Sequence, residues 1–266
     1  MIARVSVSLS RRVLLLSSLA GVLAGQDAAI RPKGKIALFN GMNLEGLYTW
    51  LERSKHEDPL RVFTVDKGLL RISGEEWGGI STKQAYHDYR LVAEWKWGGR
   101  TFEPRKDNAR DSGILVHCIG EDGAYGGKWP QSYEYQIIEG GTGDFIMVGG
   151  TGSHGLTCDT RPGKGKELHW QRGGEPTTRD RGRFNWYGRD PDWRDALGFR
   201  GKLDAEKTVG EWNRSEVIAD GDRIVNKLNG VVVNEGYKAS QTSGRIMIQS
   251  EGAEILFRKL ELHPVR

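Results

Sequence analysis

The segment Tyr133-Glu134-Tyr135-Gln136-Ile137 decides the fold class of this chain, because apolar or aromatic side chains alternate with polar ones along it. Successive side chains of a β-strand point to opposite faces of a sheet. Glu134 and Gln136 are therefore predicted to share one face, which we expect to line an open concave groove. Tyr133 and Tyr135 are predicted to face the core, as in a sheet with one buried and one polar face.

Residues 89–97 repeat this alternation on a second predicted strand. Glu94 and Lys96 fall on its polar side, whereas Trp95 and Trp97 fall on its apolar side. A strand of this kind also has one face toward the core and one toward water. The two segments together predict at least one sheet with a polar outer face.

The remaining sequence consists of short apolar or alternating runs separated by glycine, asparagine and aspartate. Asp220-Gly221 and Asn229-Gly230 suit tight hairpins, because both pairs tolerate the positive φ that such turns require. No segment shows a long helical stripe, so the sequence predicts an all-β sandwich or barrel. Residues 140–210 are rich in glycine, arginine and aspartate, and we expect a long loop-rich insertion there.

The overall composition agrees with a β-rich globular protein. Of the 266 residues, 37% are hydrophobic and 28% are charged, which allows a buried core and excludes wholesale disorder. The 37 glycines follow no regular period and only 8 prolines accompany them, which excludes a collagen-like chain.

Residues 1–25 are predicted to form a secretory signal peptide. Arg4, Arg11 and Arg12 precede an apolar run over residues 13–24, which is shorter than the ~20 residues that a membrane-spanning helix needs. We therefore expect a secreted or periplasmic protein with no membrane partner after cleavage. Loss of these three arginines lowers the formal net charge from +4 to +1, and no basic cluster follows, so nucleic acid is not an expected partner.

Cys118 and Cys158 are the two cysteines of the chain. In an oxidising compartment they could form a disulfide, and two free buried thiols are equally compatible with the sequence. The sequence does not indicate an oligomeric state.

Seven regions in chain order carry a resemblance to a known family. They are Leu38-Phe39-Asn40-Gly41 with Leu44-Glu45-Gly46-Leu47, residues 86–96, Ser112-Gly113-Ile114-Leu115-Val116-His117, residues 133–139, Gly210-Glu211-Trp212-Asn213, Leu228-Asn229-Gly230, and residues 244–249 with Phe257-Arg258-Lys259-Leu260. Together they resemble the 3-keto-disaccharide hydrolase family over nearly all of residues 36–264, apart from the insertion. The resemblance implies a concanavalin A-like jelly-roll β-sandwich and a carbohydrate substrate.

The resemblance also implies a reaction. In a 3-keto sugar the C3 carbonyl acidifies the C2 hydrogen, the glycosidic oxygen leaves C1 by β-elimination, and water then adds, which gives net hydrolysis. Such chemistry needs a base near C2, donors to the carbonyl oxygen and a proton source for the leaving oxygen. Glu134 or His117 is the predicted base, and Glu94 is the candidate acid.

The candidate substrate-binding residues follow from the same requirements. Gln136, Gln249 and Arg258 could donate hydrogen bonds to sugar oxygens, and Lys96 shares the polar face of Glu94. Trp129 could stack on a sugar ring. No metal or cofactor is expected, although Asp144 and His154 on the insertion are the residues that could hold a cation such as calcium.

Three functions remain open at this point. The first is the enzyme just described, and the second is a non-catalytic carbohydrate-binding module. The module gains weight because His117 and Asn226 stand where the family often has arginine and histidine. Asp111 is a further departure, since it stands where asparagine is common. The third is an ordinary glycosidase with Glu94 and Glu134 as its carboxyl pair, at ~5–5.5 Å for retention or ~6.5–9.5 Å for inversion.

Overall fold

The computed structural model describes residues 28–149 and 154–265, so the predicted signal peptide lies outside the described residues. Nineteen strands and no helix occur in these two ranges. The strands are β1 (Ile36–Ala37), β2 (Leu47–Leu51), β3 (Phe63–Asp66), β4 (Leu69–Ile72), β5 (Gly78–Thr82), β6 (Tyr86–His87), β7 (Tyr89–Thr101), β8 (Asp111–Ile119), β9 (Gln131–Ile138), β10 (Phe145–Val148), β11 (Leu156–Pro162), β12 (Leu168–Trp170), β13 (Glu175–Arg179), β14 (Gly182–Phe184), β15 (Asn213–Asp220), β16 (Arg223–Leu228), β17 (Val231–Gly236), β18 (Ser243–Ser250) and β19 (Ala253–Pro264).

Two large antiparallel sheets form the body of the protein. The front sheet has the strand order β14-β10-β9-β8-β18-β5-β2, with β6 paired to β18. The back sheet has the order β17-β16-β15-β7-β19-β4-β3, with β1 paired to β19. Neighbours in each sheet are often distant in the chain, as in a jelly roll. The predicted all-β jelly-roll sandwich is confirmed.

The core lies between the two sheets. Trp95 and Trp97 reach it from β7 and Tyr133 and Tyr135 reach it from β9, each at most 1% exposed. The Trp95 indole donates to the Ser215 hydroxyl at 2.9 Å, and that hydroxyl contacts the Tyr135 phenol at 3.0 Å. The alternation predicted for both strands is therefore confirmed, and a short polar chain joins the sheets inside the apolar layer.

Residues 140–210 contain more strand than the sequence indicated. Strands β10 and β14 extend the front sheet, and β12-β11-β13 form a third, three-stranded sheet. Leu156 and Cys158 of β11 pack into the main core, which explains why this sheet stays attached to the sandwich.

Within the described ranges, no helix is long and apolar enough to cross a membrane.

Candidate active site

Polar side chains collect on the outer face of the front sheet, around Gly113 in β8. Strand β9 pairs with β8 so that Gln136 lies opposite Gly113 and Glu134 opposite Leu115. Gln249 approaches from β18 on the other side of β8. A Cβ atom at Gly113 would collide with the side-chain oxygens of both Glu134 and Gln249. The missing side chain at Gly113 therefore leaves room for these two groups to meet.

Glu134 is buried in this position. It is 4% exposed, and burial raises its pKa to about 8. The negative charges of Asp111 and Asp144 also raise the pKa, whereas Arg183 and a hydrogen bond from Gln249 lower it. A carboxyl group with a pKa near the working pH can both accept and donate a proton, which is the property required of a general acid–base group.

Two further acidic residues belong to the same cluster, and the sequence did not identify them as site residues. Burial raises the pKa of Asp111 to about 7, although Arg105 lies 3.1 Å away and opposes the shift. Burial and the charges of Asp111 and Glu134 raise the pKa of Glu251. Asp111 lies two residues before Gly113 on the same strand, so the alternation along β8 could have placed it on this face.

Arg183 and Arg189, both from the insertion, offset the negative charge of Asp144, which lies next to this cluster. Asp144 follows β9 in the hairpin that leads to β10, and its carboxylate accepts hydrogen bonds from Arg183 at 3.2 Å, from Arg189, and from the Trp186 backbone N–H at 2.7 Å. This network fixes the segment around residues 183–189 against the edge of the acid cluster. The predicted groove is consequently not open at Glu134 and Gln136, which are only 4% and 3% exposed.

Aromatic side chains lie on the same face as Glu134. Leu115, Cys118 and Met247 form an apolar patch against which Trp50 and Trp129 pack. Trp129, predicted to stack on a sugar, thus packs against the patch that contains Leu115, the residue opposite Glu134 in the sheet. Whether it contacts a sugar stays a prediction.

A cleft of about 330 Å³ lies at one end of this face. Trp77 forms part of its wall, and the Lys128 ammonium lies 4.9 Å from the Trp77 ring centre. The charge of Lys128 lowers the pKa of Glu251, whereas the charge of Glu134 raises it. Glu251 therefore feels charges from both the cleft wall and the acid cluster, so the cleft lies near the cluster, although Glu134 itself does not line it.

The structure does not bring Glu94, Lys96 and Arg258 to this site. All three lie on the outer face of the back sheet, with the core between them and Glu134. Glu94 pairs with Arg258 at 2.7 Å and with Arg214 and Lys259 at 3.1 Å each. Burial alone would raise the pKa of Glu94, but hydrogen bonds to Arg258 and Lys259 hold it below the ordinary value.

The proposal of Glu94 as the acid partner of Glu134 is therefore wrong, and so is the pairing of these two residues in an ordinary glycosidase. Arg258 and Lys96 instead flank Trp212, at 4.5 and 5.1 Å from its ring centre. Alternation correctly placed these residues on a polar face, but it could not tell which of the two sheets carried that face.

The prediction of His117 as a base at this site is also wrong. Its backbone is left-handed, with φ 53°, inside a bulge where the register of β8 shifts between Val116 and Ile119. The bulge turns the ring toward the core, where it meets Tyr89 and Tyr133 edge-on at 5.8 and 6.4 Å. Burial lowers the pKa of His117 to about 4, and its Nδ1 contacts the Gln241 carbonyl at 3.0 Å.

The two cysteines are both free and buried. Cys118 follows the His117 bulge and lies on the outer face of the front sheet with Leu115 and Met247. Cys158 belongs to the main core between the sheets. The two thiols thus lie on opposite faces of the front sheet, and the structure shows no disulfide between them.

The suggested cation site at Asp144 and His154 does not fit the structure. Arginines and a backbone N–H already occupy the Asp144 oxygens. His154 stacks on Tyr133 at 4.2 Å, and its Nε2 contacts the Ser132 carbonyl at 2.7 Å. Elsewhere in residues 28–149 and 154–265, no three His, Cys, Asp or Glu side chains are grouped so that they could hold a metal ion.

Solved structures are similar to this chain over most of its length. A protein of Parabacteroides distasonis, described as a candidate glycosyl hydrolase, is 16% identical, with a TM-score of 0.51 over 88% of this chain and 94% of that one. The carbohydrate-binding module CBM66 of Bacillus subtilis is 11% identical, with a TM-score of 0.43 over 81% and 94%. The β-glucanase of Bacillus licheniformis is 11% identical, with a TM-score of 0.45 over 88% and 99%.

No curated protein matches the chain. A family model does match, over residues 34–263, and it describes a 3-keto-alpha-glucoside-1,2-lyase-like domain. The match spans both large sheets, the insertion and the whole cluster around Glu134. The sequence resemblance is thereby confirmed, and the chain belongs to the 3-keto-disaccharide hydrolase family of carbohydrate-active proteins.

Proposed function

We propose that this protein cleaves 3-keto-glycosides by elimination and hydration, at the cluster of Glu134, Asp111 and Gln249. Family membership supports the substrate class. The observation that carries the proposal is the buried Glu134 carboxyl, whose pKa is raised to about 8 beside two glutamine amides. We further propose that residues 1–25 direct the protein out of the cytoplasm.

Glu134 is the proposed base. Its ionised form would remove the C2 proton, which the neighbouring C3 ketone makes acidic. The resulting charge develops on the ketone oxygen, where the amide N–H groups of Gln136 and Gln249 can donate hydrogen bonds. Both amide oxygens lack a donor among the described residues, so the two side chains are not fully committed to protein contacts.

Asp111 is the proposed proton source for the leaving oxygen. Because burial raises its pKa to about 7, well above that of an ordinary aspartate, this carboxyl can hold a proton near neutral pH. Elimination breaks the C1–O bond, and the electron pair of the former C2–H bond becomes the new C1=C2 double bond. Water then adds to C1 and a proton returns to C2, which restores the 3-keto sugar and completes the hydrolysis.

The test compares a 3-keto-glucoside with its unoxidised parent glucoside. We expect cleavage of the ketone alone, because only the ketone makes the C2 proton labile. Glu134→Gln should lower kcat by roughly 10²-fold or more, the usual contribution of one acid–base group. Glu94→Gln is the matched control, since Glu94 is a partly buried carboxylate on the other sheet, and it should leave kcat unchanged.

The alternatives give different results in the same experiment. Equal cleavage of both glucosides would contradict the elimination route. Sugar binding without cleavage of either one would favour the carbohydrate-binding module. N-terminal sequencing of the exported protein tests the leader, and an intact Met1 would contradict export by cleavage.

A further inference from the structure

The insertion and residues 223–237 together line a groove that the proposed reaction does not use. Two adjoining cavities, of about 500 and 340 Å³, share Trp170 and Arg172 as lining residues. We call the two together the insertion groove. Its larger cavity is lined by Arg161, Trp170, Gln171, Arg172 and Tyr187. Its smaller cavity is lined by Asp159, Trp170, Arg172, Arg223, Glu235 and Tyr237.

The larger cavity carries positive charge. Two of its five described lining residues are arginines and none is acidic. The Arg161 guanidinium donates to the Tyr187 carbonyl at 3.0 Å, which holds it in place but does not neutralise it. Arg172 is exposed and makes no side-chain hydrogen bond or ion pair with any part of the chain that the structure describes. Such a guanidinium is free to bind an anion.

The backbone around Arg172 is fixed by Asp159. The Asp159 carbonyl accepts a hydrogen bond from the Gln171 N–H at 2.9 Å. Its carboxylate accepts from the Gly173 N–H at 3.2 Å and from the Tyr237 hydroxyl at 2.9 Å. The carboxylate is thus engaged by two uncharged donors, and the turn that carries Arg172 is held on both sides of it. Little conformational entropy of the backbone remains to be lost when a ligand binds.

Aromatic rings form the wall beside the arginines. Trp170 and Tyr187 meet edge-on with their ring centres 6.1 Å apart. Aromatic rings bind the C–H faces of sugar rings, and nearby amide and guanidinium groups bind hydroxyl and acid oxygens. The described lining of the smaller cavity has two acidic residues, Asp159 and Glu235, and two arginines, Arg172 and Arg223. Arg223 is already paired with Glu235 at 2.8 Å. That cavity is therefore close to neutral and suits the uncharged part of a chain.

We propose that the insertion groove binds an acidic saccharide chain. A carboxylate or sulfate of one sugar residue lies against Arg172 and Arg161, because guanidinium groups match the geometry of both anions. The ring of that residue lies along Trp170 and Tyr187, and the next residue occupies the smaller cavity. This site is separate from the cluster around Glu134 and does not depend on its chemistry.

The experiment is a calorimetric titration of the full chain with three oligosaccharides of equal length: an oligogalacturonate, a sulfated galactan and a neutral cello-oligosaccharide. We expect one of the two acidic chains to bind and the neutral chain to bind at least tenfold more weakly. Arg172→Ala should weaken the acidic ligand roughly tenfold, the usual effect of losing one charge-assisted contact, and Arg172→Glu should abolish binding.

Arg194→Ala is the matched control, since Arg194 is an exposed arginine of the same insertion outside the groove. Arg194→Ala should bind the acidic oligosaccharide as tightly as the unchanged protein does. Both Arg172 variants should cleave a small 3-keto-glucoside at the rate of the unchanged protein. The proposal is overturned if neither acidic chain binds. It is equally overturned if the neutral chain binds as tightly, or if Arg194→Ala weakens binding as much as Arg172→Ala does.

Discussion

Replacing Glu134 by glutamine should make the protein more stable at alkaline pH, because the fold holds this carboxyl in its protonated form. In an unfolded chain the pKa of glutamate is 4.5, whereas burial raises that of Glu134 to about 8. The folded state therefore binds one more proton than the unfolded state between these two values. Stability from this group is fully present below about pH 4.5 and is lost as the pH rises through about 8.

The size of the effect follows from the two pKa values. A difference of about 3.5 pKa units corresponds to about 5 kcal/mol of unfolding free energy. About 4 kcal/mol of this is lost between about pH 5 and pH 8.5, since the unfolded carboxyl is already largely ionised at pH 5. Glutamine has the same shape and never ionises, so Glu134→Gln should remove that loss.

The assay is urea unfolding of both proteins at about pH 5 and pH 8.5, followed by tryptophan fluorescence. The unchanged protein should lose about 4 kcal/mol more between the two pH values than Glu134→Gln does. Glu94→Gln is the control of opposite sign, because Arg258 and Lys259 hold the pKa of Glu94 low. Glu94→Gln should have a lower unfolding free energy than the unchanged protein at both pH values. The change in unfolding free energy between the two pH values should equal that of the unchanged protein. Equal pH slopes for the unchanged protein and Glu134→Gln would refute a buried, protonated Glu134.

Two more predictions concern the same cluster. The rate of 3-keto-glucoside cleavage should rise with pH through about 8 as Glu134 ionises, and Arg183→Gln should move this limb to higher pH, because Arg183 lowers the pKa of Glu134. Arg181→Gln, an exposed neighbour, is the control, and an unmoved limb in Arg183→Gln would contradict the assigned charge. Gly113→Ala should lower kcat at least tenfold and cost about 1–3 kcal/mol of stability, because the added methyl group displaces the Glu134 and Gln249 side chains. Wild-type activity in a folded Gly113→Ala protein would show that the two side chains need not meet over Gly113.

The sequence predicted the all-β fold and the Glu134 and Gln136 side of the site, because side-chain alternation is a local property of a single strand. Tyr133 and Tyr135 identify the buried face of β9, and Glu134 and Gln136 then follow on the other face. Gln249 comes to the same place because β18 pairs with β8, a long-range contact that alternation along one strand does not predict. The alternation of side chains along one strand does not show which other strands will pair with it.

The misplaced residues show where such local reasoning ends. Glu94 lies on a correctly predicted polar face, but sheet membership depends on the strand order of the whole jelly roll. His117 would lie on the outer face in a regular strand, and one left-handed residue reverses its direction. Histidine gives no sequence signal for such a bulge, whereas glycine would have done so. Alternation along β8 places Asp111 on the face of Gly113, but its sequence context does not distinguish a buried carboxyl from a solvated one. Glu251 lies between β18 and β19, where no side-chain period applies.

The insertion contributes charge to the site as well as the separate groove. Asp144 lies near Glu134 and would raise its pKa further if it carried an unpaired negative charge. Arg183 and Arg189, both from the insertion, pair with Asp144 and offset that charge. Because 1.4 kcal/mol changes a protonation equilibrium tenfold, small shifts of these arginines change the ionised fraction of Glu134 substantially. The family's jelly roll therefore supplies the position of the carboxyl group, and the insertion adjusts the pH at which that group can act as a base.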